Sequence, residues 1–348
     1  MGEVWQAEQT QPLRRRVALK IIKQGMDTKA VIARFEQERQ ALALMDHAHV
    51  AKVFDAGTTP EGRPYFVMEY VHGLPITEHC DRHRLTTSER LALFEQVCDG
   101  VQHAHMKAIL HRDLKPSNVL VATQDDKAVA KIIDFGVAKA TAQRLTEASL
   151  FTELGALVGT PEYMSPEQAD PTSQDVDTRT DVYSLGVMLY ELLVGALPFE
   201  SRDLRKAGLE NIRQMIREVE PAKPSQRLSK LGGERSTESA RRRRADVASL
   251  QGLLRGDLDW ITMKAMEKDR ARRYGSPAEL SADIGRHLRH EPVLAGPPSA
   301  AYRARKFVRR QRFGVIAATL GVLVPTVFAL AMAAEARRTA REAESKAR

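Results

Sequence analysis

The segment at 111–118 reads HRDLKPSN, and it constrains this chain more than any other feature of the sequence. Asp113 carries a carboxylate that can accept the proton of an attacking hydroxyl. Lys115 can neutralise negative charge on a group in transfer, and Asn118 offers a neutral oxygen to a hard divalent cation. These are the groups that phosphoryl transfer needs, because that reaction depends mostly on positioning and electrostatics. A loop with chance charges is the alternative, and a pattern over eight positions disfavours it.

A second segment, 134–136 with the sequence DFG, follows sixteen residues after Asn118. The three residues before it, KII, are predicted to form a short strand. Asp134 would bind Mg²⁺ beside the phosphates, because Mg²⁺ prefers one or two carboxylates together with phosphate oxygens. Phe135 would pack behind the site, and Gly136 would permit the turn. The triplet is weak evidence alone, but its spacing from the first segment strengthens the prediction.

Two further segments extend the pattern. Residues 17–20 read VALK in a predicted strand, and residues 159–167 read GTPEYMSPE. Together with the first two segments, they resemble the VAxK strand, catalytic loop, DFG segment and activation-loop end of bacterial Hanks-type Ser/Thr protein kinases. Ser165 stands where that family more often has alanine.

The resemblance implies an α+β fold with two lobes, a strand-rich small lobe at 1–72 and a helical large lobe at 73–290. It also implies a non-specific serine/threonine protein kinase that uses ATP and Mg²⁺, with Mn²⁺ as the alternative metal. Protein Ser/Thr hydroxyls would be the acceptors, and in the family the Lys115 position marks that specificity. The implied catalytic residues are Asp113, Lys115 and Lys20, and the implied metal ligands are Asn118 and Asp134.

Residues 68–71, with the sequence MEYV, resemble the hinge between the lobes of that family. The backbone of Glu69 and of Val71 would then bind adenine. Each apolar residue around the nucleotide would by itself be taken for core, and only its register with the motifs makes it a candidate. The other residues implied at the nucleotide are Gly2, Val4 and Ala18 above it and Leu120 below it.

Residues 29–45 show helical spacing and contain two glutamates close together. In the family, a glutamate on this helix pairs with the lysine at the position of Lys20. Glu38 is the predicted partner, because the family places that glutamate four residues before a leucine, here Leu42. Glu36 is the alternative and would otherwise be an exposed helix charge.

Regulation and support follow from the same resemblance. Arg112 would bind a phosphate on the activation loop and order it. Thr152 is the favoured acceptor, with Ser149 and Thr146 as alternatives, and a homodimer would permit autophosphorylation in trans. Residues with implied supporting roles are Thr160 at Asp113 and Lys115, Glu167 in a buried pair with Arg273, and Asp181 under the catalytic loop.

The chain departs from the family at its beginning. The glycine-rich loop of the family reads GxGxxGxV, and only Gly2 and Val4 match the end of that pattern. Two explanations stay open. The favoured one is a fragment or a late start codon, and the other is a short form with impaired nucleotide binding.

Membrane attachment is predicted from the run of 22 uncharged residues at 313–334. A helix of that length spans about 33 Å, close to the roughly 30 Å hydrocarbon core of a bilayer. A basic linker at 291–312 precedes it, so the positive-inside rule places the N-terminal side in the cytoplasm. The charged helix that begins at 335–348 would lie outside. We therefore expect a single-pass protein of the bacterial inner membrane, although a buried core helix is the alternative.

Charge and local pattern complete the organisation. The formal net charge is +8, and four consecutive arginines occupy 241–244. The basic linker adjoins the membrane-length run, so phospholipid rather than nucleic acid is the expected partner. Residues 200–250 are charged and weakly periodic, which predicts a surface insertion. Cys80 and Cys98 form neither a disulfide framework nor a metal pattern, so two free thiols are predicted.

Three functions compete at this stage. An active Ser/Thr kinase is favoured, because Lys20, Asp113, Asn118 and Asp134 are all present. A truncated domain or pseudokinase that signals by binding is the second, supported by the incomplete glycine loop. A basic module for membrane surfaces or nucleic acid is the third, and it leaves the motifs unexplained.

Overall fold

The computed structural model describes residues 3–22, 45–135, 160–170, 176–200, 208–297 and 299–346, and the labels below count elements within these ranges. The chain divides into two compact units, Met1–Gly285 and Arg286–Arg348. The first unit contains a strand-rich lobe followed by a helical lobe, which is the α+β class implied by the motifs.

The small lobe is built on an antiparallel sheet, with its described strands in the order β1-β2-β4-β3. These strands are β1 Glu3–Gln9, β2 Arg15–Ile21, β3 Val53–Thr58 and β4 Pro64–Glu69. Val17 and Phe66 of the two inner strands are buried, as alternation along a half-buried strand requires. The register sets Lys20 between Val4 on one side and Phe66 on the other. The lysine is therefore fixed on an inner strand.

The third strand differs from the sequence prediction. An apolar run predicts a strand at 50–54, but β3 begins at Val53 and ends at Thr58. Val50 instead forms a parallel bridge to Ile132 in the large lobe. A short apolar run cannot distinguish a strand from a segment that docks on another sheet, because both are buried.

The large lobe combines a small sheet with a set of helices. The sheet has the order β5-β6-β7, with β5 Leu74–Pro75, β6 Val119–Gln124 and β7 Lys127–Ile132. The helices are α1 Ile76–Arg82, α2 Thr87–Met106, α3 Pro166–Ala169, α4 Thr178–Val194, α5 Gly208–Glu218, α6 Pro224–Lys230, α7 Gly233–Arg241, α8 Val247–Leu254, α9 Asp257–Ala265 and α10 Pro277–Leu288. Helix α2 begins with a capping box, in which Thr86 and Glu89 each accept the other's backbone N–H.

Helix α4 lies at the centre of the large lobe and is buried along nearly its whole length. It ends at Gly195, whose φ of +74° suits the left-handed cap that glycine adopts without strain. Gly186 faces α9, and a Cβ there would lie 2.8 Å from Cγ of Met266. The absence of a side chain at Gly186 therefore permits the close approach of α4 and α9.

The described part of 200–250 corrects the expectation of a surface insertion. Leu228 and Leu250 are fully buried among helices of the large lobe. Within the arginine run, Arg243 is only 2% exposed, and its guanidinium donates to the carbonyl of Leu192 at 2.8 Å. The prediction was wrong because it took charged residues to be surface residues. In the sequence, a buried arginine that donates to the last carbonyls of a helix cannot be distinguished from an exposed one.

The two cysteines agree with the prediction of free thiols. Cys80 and Cys98 are unpaired and buried. Burial raises the pKa of Cys80 to about 11. Both thiols therefore serve as small core residues rather than as reactive groups.

After the end of α10, the described part of the second unit has a turn segment and two helices, α11 Ala300–Arg310 and α12 Arg312–Lys346. Part of the predicted linker is thus helical. Within α12, Thr319–Arg337 is the one stretch of the described chain that is long and apolar enough to cross a membrane. Pro325 lies inside this helix, a position that membrane helices tolerate.

Candidate active site

Four side chains from the segments at 111–118 and 159–167 lie close together. Nζ of Lys115 lies 2.8 Å from Oδ2 of Asp113 and donates to Oγ1 of Thr160 at 3.3 Å. The side-chain nitrogen of Asn118 donates to the backbone carbonyl of Asp113 at 2.8 Å. Because the nitrogen and oxygen of a carboxamide point apart, this bond turns the Asn118 oxygen away from that carbonyl. The cluster holds a carboxylate, a cation and a neutral oxygen within one small volume.

A 3₁₀ turn at Pro116–Asn118 sets the spacing inside this cluster. The N–H of Asn118 donates to the carbonyl of Lys115 at 2.9 Å, and its carbonyl accepts from the N–H of Ile133 at 2.9 Å. Strand β6 begins at the next residue, Val119. Asn118 is therefore held by a sheet, which limits how far its side chain can drift.

The buried carboxylate of Asp181, on α4, holds the loop from below. The backbone N–H groups of His111 and Arg112 each donate to it at 2.8 Å, and Nε2 of His105 lies at 2.8 Å. Arg112 has a φ of +62°, a conformation that costs a non-glycine residue about 1–3 kcal/mol. Burial alone would raise the pKa of Asp181, but the hydrogen bond and electrostatic attraction of His105, together with the hydrogen bond from the His111 backbone, lower it below its usual value. An ionised Asp181 thus fixes the strained backbone just before Asp113.

His111 packs into the same region as a neutral ring. Burial lowers the pKa of its imidazole, against the opposing charge of Asp181. Nε2 lies 3.1 Å from the carbonyl of Ile133, and Nδ1 accepts from the N–H of Asp113 at 3.3 Å. These two contacts require the proton on Nε2. The ring also lies 4.8 Å from the ring of Phe135, centroid to centroid, so the two motifs pack together.

Lys20 and Asp134 form a direct ion pair, which the sequence did not predict. Nζ of Lys20 lies 2.8 Å from Oδ1 of Asp134, and both side chains are largely shielded from solvent. Asp134 has a φ of +59°, a left-handed conformation in which aspartate is less strained than most residues. The two lobes therefore meet at this pair. Three predicted site residues lie outside the described residues, namely Gly2, Glu38 and Thr152.

The predicted adenine segment lies at the end of β4. Ala18 stands opposite Met68 in the register of the sheet, and Val4 is 59% exposed at the start of β1. Leu120 lies on β6, opposite Lys131. The N–H of Glu69 donates to the carbonyl of Lys52 at 2.8 Å, so this N–H already has a partner within the protein. Val71 follows two residues later, in a segment that is neither helix nor strand.

Glu167 and Arg273 lie in the ion pair that the motifs implied. The guanidinium is fully buried and contacts both carboxylate oxygens, at 2.7 and 2.8 Å. Thr180 adds a hydrogen bond to Glu167 at 2.8 Å. Burial would raise the pKa of Glu167, but the hydrogen bonds and charge of Arg273 lower it. The pair joins the segment at 160–170 to Arg273, which lies just before α10.

Asn118 and Asp134 are the two predicted metal ligands, and both lie among the described residues. The described residues contain no group of three or more His, Cys, Asp or Glu side chains that could hold a metal ion. Asp134 supplies a carboxylate, and Asn118 supplies a carboxamide oxygen directed away from the loop backbone. Such a set suits a divalent cation that takes its remaining ligands from phosphates and water.

Comparison with known families places these contacts in context. The sequence profile of the protein kinase domain matches residues 1–276. The chain belongs to the protein kinase family. Protein kinases use ATP and a divalent metal ion. The sequence at 111–118 has the HRDLxxxN pattern that the catalytic loop of this family carries.

The similar curated proteins are bacterial kinases. The chain is 32% identical over 288 residues to serine/threonine-protein kinase PknB of Mycobacterium tuberculosis, and the aligned residues cover 81% of this chain and 40% of PknB. It is 37% identical over 206 residues to serine/threonine-protein kinase Pkn1 of Myxococcus xanthus, and the aligned residues cover 59% of this chain and 28% of Pkn1. The kinase chain thus spans less than half the length of these relatives.

Several contacts around the candidate site were not predicted from the sequence. Lys131 pairs with Glu69 at 2.8 Å, and Gln168 donates to the carbonyl of Arg112 at 2.8 Å. The hydroxyl of Tyr163 donates to the carboxylate of Glu191. In the sequence, Lys131 is a charged residue in a predicted strand. This pattern indicates that the lysine has a partner, but it does not identify which residue the partner is.

Proposed function

We propose that this kinase transfers the γ-phosphoryl group of ATP to Ser/Thr hydroxyls of proteins. The observation that carries the proposal is the meeting of Asp113, Lys115, Asn118 and Thr160 within hydrogen-bonding distances. The Ser/Thr names of the similar proteins and the lysine at position 115 support the choice of acceptor.

The proposed chemistry follows from the positions of these groups. Asp113 accepts the proton of the attacking hydroxyl, and the hydroxyl oxygen forms a bond to phosphorus while the bond to the ADP oxygen breaks. Lys115 is held between Asp113 and Thr160, so that its charge faces the oxygens of the transferred group. Lys20 contacts the α- and β-phosphates and gives up its bond to Asp134 when the nucleotide binds.

We assign the metal ligands to Asn118 and Asp134, with Mg²⁺ as the proposed ion and Mn²⁺ as its substitute. A bound Mg²⁺ neutralises charge on the phosphates, and that is the chemistry it supplies. The backbone of Glu69 and Val71 binds adenine in this proposal. Gly2, Val4 and Ala18 cover the nucleotide from the small lobe, Leu120 supports it from the large lobe, and Glu38 pairs with Lys20.

Activation is proposed to involve the segment between Asp134 and Glu167. Arg112 binds a phosphate on Thr152, and two copies of the chain phosphorylate each other. The basic linker and the apolar stretch of α12 anchor the kinase in the inner membrane, with residues 1–290 as the cytoplasmic domain. Mass spectrometry after incubation with ATP tests the phosphorylation, and its absence from 137–160 contradicts it.

A phosphotransfer assay with a basic protein acceptor tests the central proposal. We expect incorporation on serine and threonine, and its near loss in Asp113→Asn. Asp126→Asn is the matched control, because Asp126 is exposed in the β6–β7 turn and asparagine tolerates its φ of +58°.

Two results decide between the proposed kinase and a binding scaffold. Equal incorporation by the natural chain and Asp113→Asn contradicts the role of Asp113. No incorporation, together with normal nucleotide binding by calorimetry, supports the scaffold function.

A further inference from the structure

A basic pocket lies in the second unit, beside helix α11. Its volume is about 390 Å³. One wall is the segment at 290–292, and the other is a single face of α11. The residues around it include His290, Pro292, Arg303, Lys306, Phe307 and Arg310. We propose that this pocket binds the phosphate headgroup of an anionic phospholipid, an inference that rests on the proposed membrane anchoring.

The two walls of the pocket are tied together by specific contacts. The N–H of Val293 donates to the hydroxyl of Tyr302 at 3.1 Å, which joins the turn segment to the first turn of α11. Ser299 caps α11 by accepting from the N–H of Tyr302. Lys306 is only 9% exposed, and its Nζ lies 5.8 Å from the centre of the Tyr302 ring. A largely buried lysine in the lining of a pocket is better suited to one bound anion than to a diffuse cloud of counter-ions.

Positive charge is concentrated on the face of α11 that forms the pocket. Arg303, Lys306 and Arg310 are spaced by three and four residues, so they share one helix face. Like charges at this spacing destabilise a helix. Glu291 is the only acidic residue between 286 and 334 in the sequence, and it lies 3.9 Å from Arg310 and 3.5 Å from Arg289. A phosphate diester in the pocket would offset this repulsion.

The position of Arg303 favours a bound anion over the helix dipole as the explanation for the basic residues of α11. Cations near the end of a helix interact favourably with its dipole, which accounts for Arg310 without a ligand. Arg303 is the fourth residue of α11, in the first turn, where the same dipole disfavours a cation. A bound anion at that end of the pocket would offset the unfavourable interaction between Arg303 and the helix dipole.

The surroundings favour a lipid over a soluble phosphate. Helix α11 ends at Arg310 and α12, which carries the membrane-length stretch, begins at Arg312. Phe307 lines the pocket and is 54% exposed, and Val308 beside it is 48% exposed. Basic and apolar residues together on one short helix are typical of helices that lie in the membrane interface. An acyl chain would cover Phe307, whereas free phosphate would not.

Native mass spectrometry of the full chain tests the pocket. The chain is purified in neutral detergent and exposed to mixed phosphatidylcholine and phosphatidylglycerol micelles. We expect one retained phosphatidylglycerol per chain, and about fivefold less retention in Arg303→Gln, as the loss of one lipid-facing arginine predicts. Arg305→Gln is the matched control, because it removes one exposed charge from the same helix at a residue outside the pocket lining. Arg303→Lys should restore most of the retention.

Three outcomes would overturn the proposal. Equal retention by Arg303→Gln and Arg305→Gln would show diffuse attraction rather than a site. Retention of phosphatidylcholine as strong as that of phosphatidylglycerol would exclude recognition of the anionic headgroup. Displacement of the lipid by millimolar inorganic phosphate, with equal protection of α11 from hydrogen exchange, would identify a soluble anion instead.

Membrane anchoring is tested separately, by alkaline carbonate extraction of cell membranes. A chain released by carbonate contradicts the anchoring. A chain that stays in the membrane fraction while both glutamine variants retain lipid equally contradicts the pocket alone.

Discussion

Nζ of Lys131 lies 2.8 Å from Oε1 of Glu69, so β7 of the large lobe is bonded to the last residue of β4 in the small lobe. The Lys131 side chain is 8% exposed and that of Glu69 is 23% exposed. Glu69 also accepts the N–H of Lys52 at 3.2 Å. Because adenine is proposed to bind at Glu69, this ion pair holds the predicted adenine segment, residues 68–71, at a fixed distance from the large-lobe sheet.

Replacing Lys131 by methionine should weaken nucleotide binding more than it slows chemistry. The change leaves the Glu69 carboxylate without its charged partner, which costs about 1–3 kcal/mol of stability. We expect KM for ATP to rise several-fold while kcat stays within about twofold. Steady-state kinetics and thermal unfolding measure both effects. The double variant Glu69→Gln with Lys131→Met should recover part of the stability, and an unchanged KM in Lys131→Met would contradict the coupling.

The buried pair of Glu167 and Arg273 should be among the most sensitive contacts in the large lobe. Arg273→Met leaves a shielded carboxylate uncompensated, so the free energy of unfolding should fall by about 3–5 kcal/mol. Arg272→Met is the control, since Arg272 is 70% exposed and its pair with Glu267 should be worth less than about 1 kcal/mol. Chemical denaturation of both variants in the same detergent makes the comparison. Equal losses would mean that burial does not decide the cost.

Mild acid should destabilise the kinase through His111. Burial lowers the pKa of His111 in the folded chain, so near the ordinary pKa of about 6.5 the unfolded chain binds the proton more readily. The contribution of His111 to the free energy of unfolding is therefore fully present above that pH. It is lost as the pH falls toward the pKa of His111 in the folded chain. His47 and His79 act in the same direction, because burial lowers their pKa values too.

Thermal unfolding from about pH 7.5 down to about pH 5.5 measures this dependence. His111→Tyr should give a shallower loss of stability than the natural chain, whatever its absolute melting temperature. His72→Gln, at an exposed position, should leave the slope unchanged. Identical slopes for the natural chain and His111→Tyr would contradict the assignment.

Asp181→Asn should slow phosphotransfer without much effect on nucleotide binding. An asparagine can accept from one backbone N–H, but its NH₂ group would face a second donor from the 111–112 backbone. The loop before Asp113 would shift, and a displacement of about 1 Å can cost roughly 100-fold in rate. We expect kcat to fall by about that factor, with KM for ATP within a few-fold. Asp177→Asn is the control, because asparagine replaces aspartate well as a helix N-cap.

The proximity of three candidate site residues could be predicted because their geometry is local. Asp113, Lys115 and Asn118 lie within six residues, and one 3₁₀ turn is enough to bring them together. The pairing of Glu167 with Arg273 spans 106 residues, and only the register of a known family could suggest it.

Other features could not be predicted, for a common reason. The ion pair of Lys131 and Glu69, the bridge of Val50 to Ile132 and the burial of Arg243 each depend on how distant segments pack. Charge and hydrophobicity along the chain carry no information about which distant group will face a side chain. The arginine run was therefore interpreted as surface, although one of its members lies in the core.

Two buried arginines converge on the last turn of α4. Arg90 on α2 and Arg243, which follows α7, both donate to the carbonyl of Leu192. During synthesis, residues 90 and 192 leave the ribosome well before residue 243. Until residue 243 has been synthesised, we expect the carbonyl of Leu192 to lack the hydrogen bonds from Arg243. A nascent chain that ends before Arg243 would therefore have a less stable α4, and it would be exposed to chaperones and proteases.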